Sequence, residues 1–176
     1  MPELFPLPPL RPPGAVRDED FLRRCARCGK CVTACPHDSI ELSGGLFAGA
    51  RRFPRSLPGR VPCYLCMKCP PACPTGALDH ECDEPAAARM GQAYIKKSRC
   101  HNYREERVMC MTCFDRCPLR GRAVVLVAKE KVYPAMTTAC VGCGVCEYVC
   151  PEDAVVVAPA SFGWAPPDAA PVLERQ

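Results

Sequence analysis

Residues 25–36, CARCGKCVTACP, set Cys25, Cys28, Cys31 and Cys35 ahead of Pro36 in the spacing C-x2-C-x2-C-x3-C-P. The template returns at Cys63, Cys66, Cys69 and Cys73 with Pro74, and again at Cys140, Cys143, Cys146 and Cys150 with Pro151. A further unit lies between these two as Cys110, Cys113, Cys117 and Pro118, with Cys100 as its first ligand and residues 101–109 as an insertion. Such internal repetition governs the reading of everything else in the chain. Three cysteines at three-residue intervals wrap a tight loop, so that their thiolates converge on three irons of a cubane. The fourth iron takes the last cysteine of a paired unit, and the proline turns the chain away after it.

Sixteen of the 17 cysteines fall into these four units, which predicts four [4Fe-4S] clusters and leaves Cys82 over. Zinc sites use two separated C-x2-C pairs around one tetrahedral ion, and a third cysteine followed by x3-C-P is a poor match to that pattern. Cys82 reads as a free thiol filling space near unit two. His37, His80 and His101 lie close to ligand cysteines, yet sixteen cysteines already fill four sites, so they read as surface residues or as hydrogen-bond partners of the ligands. Tyr64, Phe114 and Tyr148 sit within two residues of a cysteine, where a ring would shield a cluster from water; ordinary packing explains them equally well.

Composition supports a chain held together by its metal centres. Leu, Ile, Val and Phe together number 35 of 176 residues, while 21 prolines and 12 glycines interrupt any long periodic element. A large aliphatic core is excluded. The longest apolar runs, Ala123 to Ala128 and Ala154 to Ala160, fall far short of a membrane-spanning helix. No basic, apolar and small-residue series opens the sequence, so the expected compartment is the cytoplasm, where thiols stay reduced. The formal charge of +4 counts every thiol as neutral. Four cubanes with four thiolates each would carry the chain to about −4, which removes the footing for a nucleic-acid partner.

The expected fold is α+β and loop-rich, with two pseudo-symmetric bacterial ferredoxin-like lobes of short strands and short helices. After each Cys-Pro comes a turn and a small apolar stretch: HDSIEL, TGALD, LRGRAVVLVA and EDAVVVA. These read as strands, with segments such as Ala93 to Lys97 and Lys131 to Ala135 as antiparallel partners. Six prolines in residues 1–14 predict an extended N-terminal arm over residues 1–20, and residues 159–176 read as a flexible tail. Arg51, Arg52, Arg55 and Arg60 form a basic loop, solvated or docking to an acidic partner. No nucleophile, acid–base carboxylate pair or phosphate-cradling loop is visible, so the chain reads as a carrier without its own substrate site.

LRPPGAVRDEDFLRRCARCGKCVTACP, VPCYLCMKCPPACPTGALD and SRCHNYREERVMCMTCFDRCP resemble the MauM/NapG family of ferredoxin-type proteins, a resemblance covering residue 9 to about residue 158. Pro12, Pro13, Gly14 and Ala15 match the stretch that precedes that family's first motif, and the extra residues after Cys100 match its third. The resemblance implies a non-catalytic electron carrier between a quinol-oxidising membrane partner and a terminal oxidoreductase. A maturation factor for a redox enzyme and a cluster-stapled structural subunit are the alternatives. Members usually begin with a twin-arginine export signal, whereas Arg23-Arg24 and Arg51-Arg52 are internal here; a signal upstream of Met1 would make the protein periplasmic.

Two wirings satisfy the pairing rule. Units one with two and three with four would be sequential; one with four and two with three would be nested. The nested scheme is expected, on the stretched first half of unit three and by resemblance to four-cluster subunits of molybdopterin oxidoreductases. It gives ligand sets of Cys25, Cys28, Cys31 with Cys150; Cys140, Cys143, Cys146 with Cys35; Cys63, Cys66, Cys69 with Cys117; and Cys100, Cys110, Cys113 with Cys73. An outer lobe would then span residues 21–62 plus 134–158, and an inner lobe residues 63–133.

Overall fold

Three of the four stretches that follow a Cys-Pro form strands, each paired with a segment that precedes another unit. The computed structural model describes residues 9–42, 54–104, 109–160 and 165–174. Strand β1 (Ile40–Leu42) follows unit one and runs antiparallel to β2 (Pro54–Ser56), which leads toward unit two. Strand β3 (Gly91–Ile95) precedes unit three and pairs with β6 (Val155–Pro159), which follows unit four. Strand β4 (Val124–Ala128) follows unit three and pairs with β5 (Val132–Met136), which leads into unit four. The β-branched residues of β4 and β6 suit these half-buried ribbons. TGALD makes only a single bridge, Leu78 to Ala15, joining the segment after unit two to the one before unit one.

The helices are short. Helix α1 (Asp18–Arg24) carries Asp18, Glu19 and Asp20 in its first turn and Arg23 and Arg24 in its last, a charge order that favours the helix dipole. It buries Phe21 completely, under the Arg11 guanidinium. Helices α2 (Lys30–Thr33), α4 (Thr112–Asp115) and α5 (Val145–Tyr148) each hold the third cysteine of a unit, and α3 (His101–Arg104) lies in the insertion of unit three. Unit two has turns at the corresponding place, because Pro70 and Pro71 follow Cys69 and the residue before a proline is driven out of the helical region.

Two apolar clusters hold these pieces. One gathers Phe21, Ile40, Ala77 and Leu78 with Cys31, Cys69 and Cys73; the other gathers Cys63, Met90, Ile95, Val124, Met136, Val145 and Val155 with Cys113, Cys143 and Cys146.

Among the described residues, neither the stretch from Pro9 nor that from Ala165 is a free arm. Leu10, Pro12 and Pro13 are buried, Ser56 N donates to Leu10 O at 2.8 Å, and Gly14 N donates to Ala88 O. The expected tail also stitches two sheets together: Ala170 N donates to Ile95 O at 2.7 Å, and Leu173 N to Met136 O at 2.8 Å. Proline richness removes donors without removing apolar surface, so an extended segment can still pack. Of the expected basic loop, Arg51 and Arg52 lie outside the described residues, while Arg55 pairs with Glu41 across β1 and β2.

Candidate iron-sulfur centres

The loop that presents the cysteines has a repeated backbone trick. In units one, two and four, the residue before the second cysteine and the residue after it are both left-handed: Arg27 and Gly29, Leu65 and Met67, Gly142 and Gly144. Two reversals of hand within four residues coil the chain around a common centre. Leu65 and Met67 adopt this conformation without glycine's freedom, at about 1–2 kcal/mol each, which marks a geometry imposed by the site. Unit three departs from the pattern, since Met111 has φ −117°. There the insertion supplies Asn102, fully buried, whose Oδ1 accepts from Cys110 N at 2.8 Å and whose Nδ2 donates to Val132 O at 3.1 Å.

Among the described residues, cysteines line these cavities. Cys25, Cys28, Cys31 and Cys73 line one, with Phe21 and Leu78 in its wall. Cys140, Cys143, Cys146 and Cys117 line a second, and Cys100, Cys110, Cys113 and Cys150 a third. For the remaining set, Cys35 lies near enough to Cys63 to act on its ionisation. Ser39 ties the two together, donating N–H to Cys35 Sγ at 3.4 Å and its hydroxyl to Pro62 O at 2.7 Å.

These groupings differ from the nested pairing and from the two lobes drawn from it. Cys150 lies with unit three, Cys117 with unit four, Cys73 with unit one and Cys35 beside unit two. The physical reason lies in the linkers. Strands β1 and β2 and strands β4 and β5 each pair across one connection, the latter only Lys129 to Lys131, and closing a short loop costs less entropy than bringing distant segments together.

Burial sets the electrostatics. It pushes the Cys31 and Cys63 thiols up to about 11, and Cys113 and Cys143 up to about 12, with neighbouring thiolates adding to the rise. Cys146 is driven far above the ordinary thiol range, first by burial and then by Cys140 and Cys143. Cys73 goes the other way: burial would raise it, but N–H groups of Leu78, Thr75 and Ala77 hold it below the usual value. The last cysteines of units one, two and four each accept a backbone N–H at sulfur, from Ser39, from Leu78 at 3.4 Å and from Ala154 at 3.2 Å.

Thiols crowded on one another, several of them buried, cannot all ionise unless a cation compensates them, and N–H groups already aimed at sulfur suit thiolate ligands. All 17 cysteines are free of disulfides. Three cysteines at three-residue intervals, joined by a fourth from another unit, suit a polynuclear iron-sulfur core better than a zinc ion held by two C-x2-C pairs.

The other residues singled out in the sequence fall outside the thiol sets. Cys82 is buried and donates from Sγ to Ala87 O. His37 stacks on Tyr64, His80 bonds Cys73 O, and His101 faces Glu152 at 3.2 Å. Tyr64 and Tyr148 are about half exposed, 49% and 53%, too open to shield a centre, while Phe114 packs at the edge of the larger apolar cluster. The ring that does crowd unit three is Tyr103, which donates to Pro134 O at 3.0 Å and packs on Tyr133. Its place inside the insertion concealed it in the sequence.

Thiol-lined cavities between antiparallel ribbons of a small α+β chain define a ferredoxin-type [4Fe-4S] protein, and the 4Fe-4S binding domain family matches residues 22–41 and 134–156. The methylamine utilization ferredoxin-type protein MauM of Paracoccus denitrificans is 37% identical over 169 residues, covering 90% of this chain and 75% of that protein. The ferredoxin-type protein NapG of Escherichia coli is 36% identical over 183 residues, covering 88% of this chain and 77% of that one. The chain belongs to the MauM/NapG family of ferredoxin-type proteins.

Proposed function

We propose that the protein relays single electrons through four [4Fe-4S] clusters between a quinol-oxidising membrane partner and a terminal oxidoreductase. The ligand sets are Cys25, Cys28, Cys31 with Cys73; Cys63, Cys66, Cys69 with Cys35; Cys100, Cys110, Cys113 with Cys150; and Cys140, Cys143, Cys146 with Cys117. The observation that carries this reading is the meeting of three thiols from one unit with the fourth from its neighbour. The strand pairing supports two ferredoxin-like halves on the same plan. In each, the segment after the first unit pairs with the one before the second, and the segment before the first meets the one after the second.

When bound, each cluster supplies a one-electron couple whose potential depends on hydrogen bonds to sulfur, charge and solvent exposure. The chain's own part is to set those conditions. Ser39, Leu78 and Ala154 point N–H groups at ligand sulfurs, and burial of Cys143 and Cys146 excludes water. Anaerobically prepared protein is expected to hold about sixteen iron and about sixteen acid-labile sulfide per chain. Cys100→Ser should lose or alter one cluster, while Cys82→Ser keeps all four. Stoichiometric zinc without sulfide, or clusters that dithionite cannot reduce, would sink the proposal.

A further inference from the structure

The four thiol sets are not equivalent in where they sit. Units one and two border solvent, with Cys28 and Cys66 exposed, and the chain beside Cys110 of unit three carries Met109 at 66% exposure. Unit four is the opposite case, since every residue from Val141 to Cys146 is buried. Its loop is closed in by other segments: Met90 N donates to Val141 O at 3.0 Å, and a Cβ added at Gly142 would stand 2.5 Å from Gly91 N.

The contacts between sets run in one direction. Cys31 of unit one and Cys69 of unit two share the smaller apolar cluster, while Cys63, at the other end of the unit-two loop, belongs to the larger one. From there Cys63 N donates directly to Cys143 O of unit four at 2.8 Å. On the far side of the same loop, α5 with Cys146 packs on α4 with Cys113 of unit three.

Resting on the four-cluster reading, we propose that the centres stand in a single row in the order one, two, four, three, so that chain order and electron order differ. Unit four is the buried inner link, and units one and three are the two ends at which partners exchange electrons.

Magnetic coupling between neighbouring reduced clusters tests the order without any partner. Holoprotein reduced with dithionite is compared by electron paramagnetic resonance with Cys110→Ala, Cys143→Ala and Cys66→Ala, each expected to lose about a quarter of the iron. Loss of unit three removes an end, so the three remaining centres stay mutually split. Loss of unit four strands unit three as one unsplit signal beside a coupled pair, and loss of unit two strands unit one in the same way. An unsplit signal in Cys110→Ala with full coupling in Cys143→Ala would overturn the order. Should the buried Cys143→Ala variant fail to fold, Cys110→Ala and Cys66→Ala decide: an unsplit signal in the first, or none in the second, is contrary. Wild-type iron well short of four clusters would overturn the four-centre reading itself, and is read separately from the splitting pattern.

Discussion

At Gly142, backbone hand and close packing coincide, since φ is +72° and an added Cβ would run into the Gly91 backbone. Gly29, which follows the second cysteine of unit one, has φ +77° and nothing within 4 Å of an added Cβ. The two should therefore respond differently to alanine. Gly29→Ala carries only the conformational cost, about 1–2 kcal/mol, and should keep full iron. Gly142→Ala adds a clash that neither backbone can relieve cheaply, of order 3–5 kcal/mol in all, and should lose the unit-four iron. Iron analysis with thermal melts separates them; equal behaviour would refute the packing argument. The cysteine repeat was legible from spacing alone. The left-handed conformation of Leu65 and Met67 was not, because no residue-type signal announces it, and neither was Asn102, whose role depends on a fold back to Cys110 across the insertion.

Among the elements, the strands after Cys-Pro were readable where β-branched residues crowd, in β4 and β6, and where Ile40 and Leu42 flank Glu41 in β1, and not in TGALD, where Gly76 and small residues leave only the Leu78 bridge. Their partners β3 and β5 were also within reach of the pattern. The packing of residues 9–14 and 165–174 was not legible, because composition reports the chance of regular structure and says nothing about who packs against an extended segment. Residues 165–174 make backbone bonds from Ala170 to Ile95, from Leu173 to Met136 and from Thr138 to Leu173, and Asp168 accepts from Ser98. At about 1 kcal/mol per net hydrogen bond, truncation after Ala160 should cost roughly 3–4 kcal/mol. For a chain of this size that lowers the apparent Tm by roughly 6–15 °C. A dispensable tail would leave the melt unchanged.

For the molecule as a whole, the cysteines do structural work that aliphatic residues do elsewhere. Three of the seven buried residues in the smaller apolar cluster are cysteines from units one and two. Removing the iron would leave raised, protonated thiols around space that nothing else fills, so chelation under oxidising conditions should unfold most of the chain. Loss of far-ultraviolet dichroism and of protease resistance would show this, and an intact, resistant apoprotein would contradict it. The pairing of units is the one large feature that spacing could not disclose. Four copies of one template are interchangeable on paper, and the choice among partners is made by the linkers, by Ser39 reaching Pro62, and by hairpins that favour the nearer unit.

On the proposed ligand sets, the exchange of last cysteines between Cys35 and Cys73 also bears on how the protein is made. All eight thiols of units one and two, and the strands β1 and β2 between them, lie within the first half of the polypeptide. Under a nested scheme the first site would wait for Cys150; with neighbouring units paired, iron can be loaded while the ribosome is still translating the remainder. Nascent chains stalled with about 90 residues outside the ribosome should already retain iron in an anaerobic extract. If iron appears only once Cys150 has emerged, assembly follows completion of the chain instead.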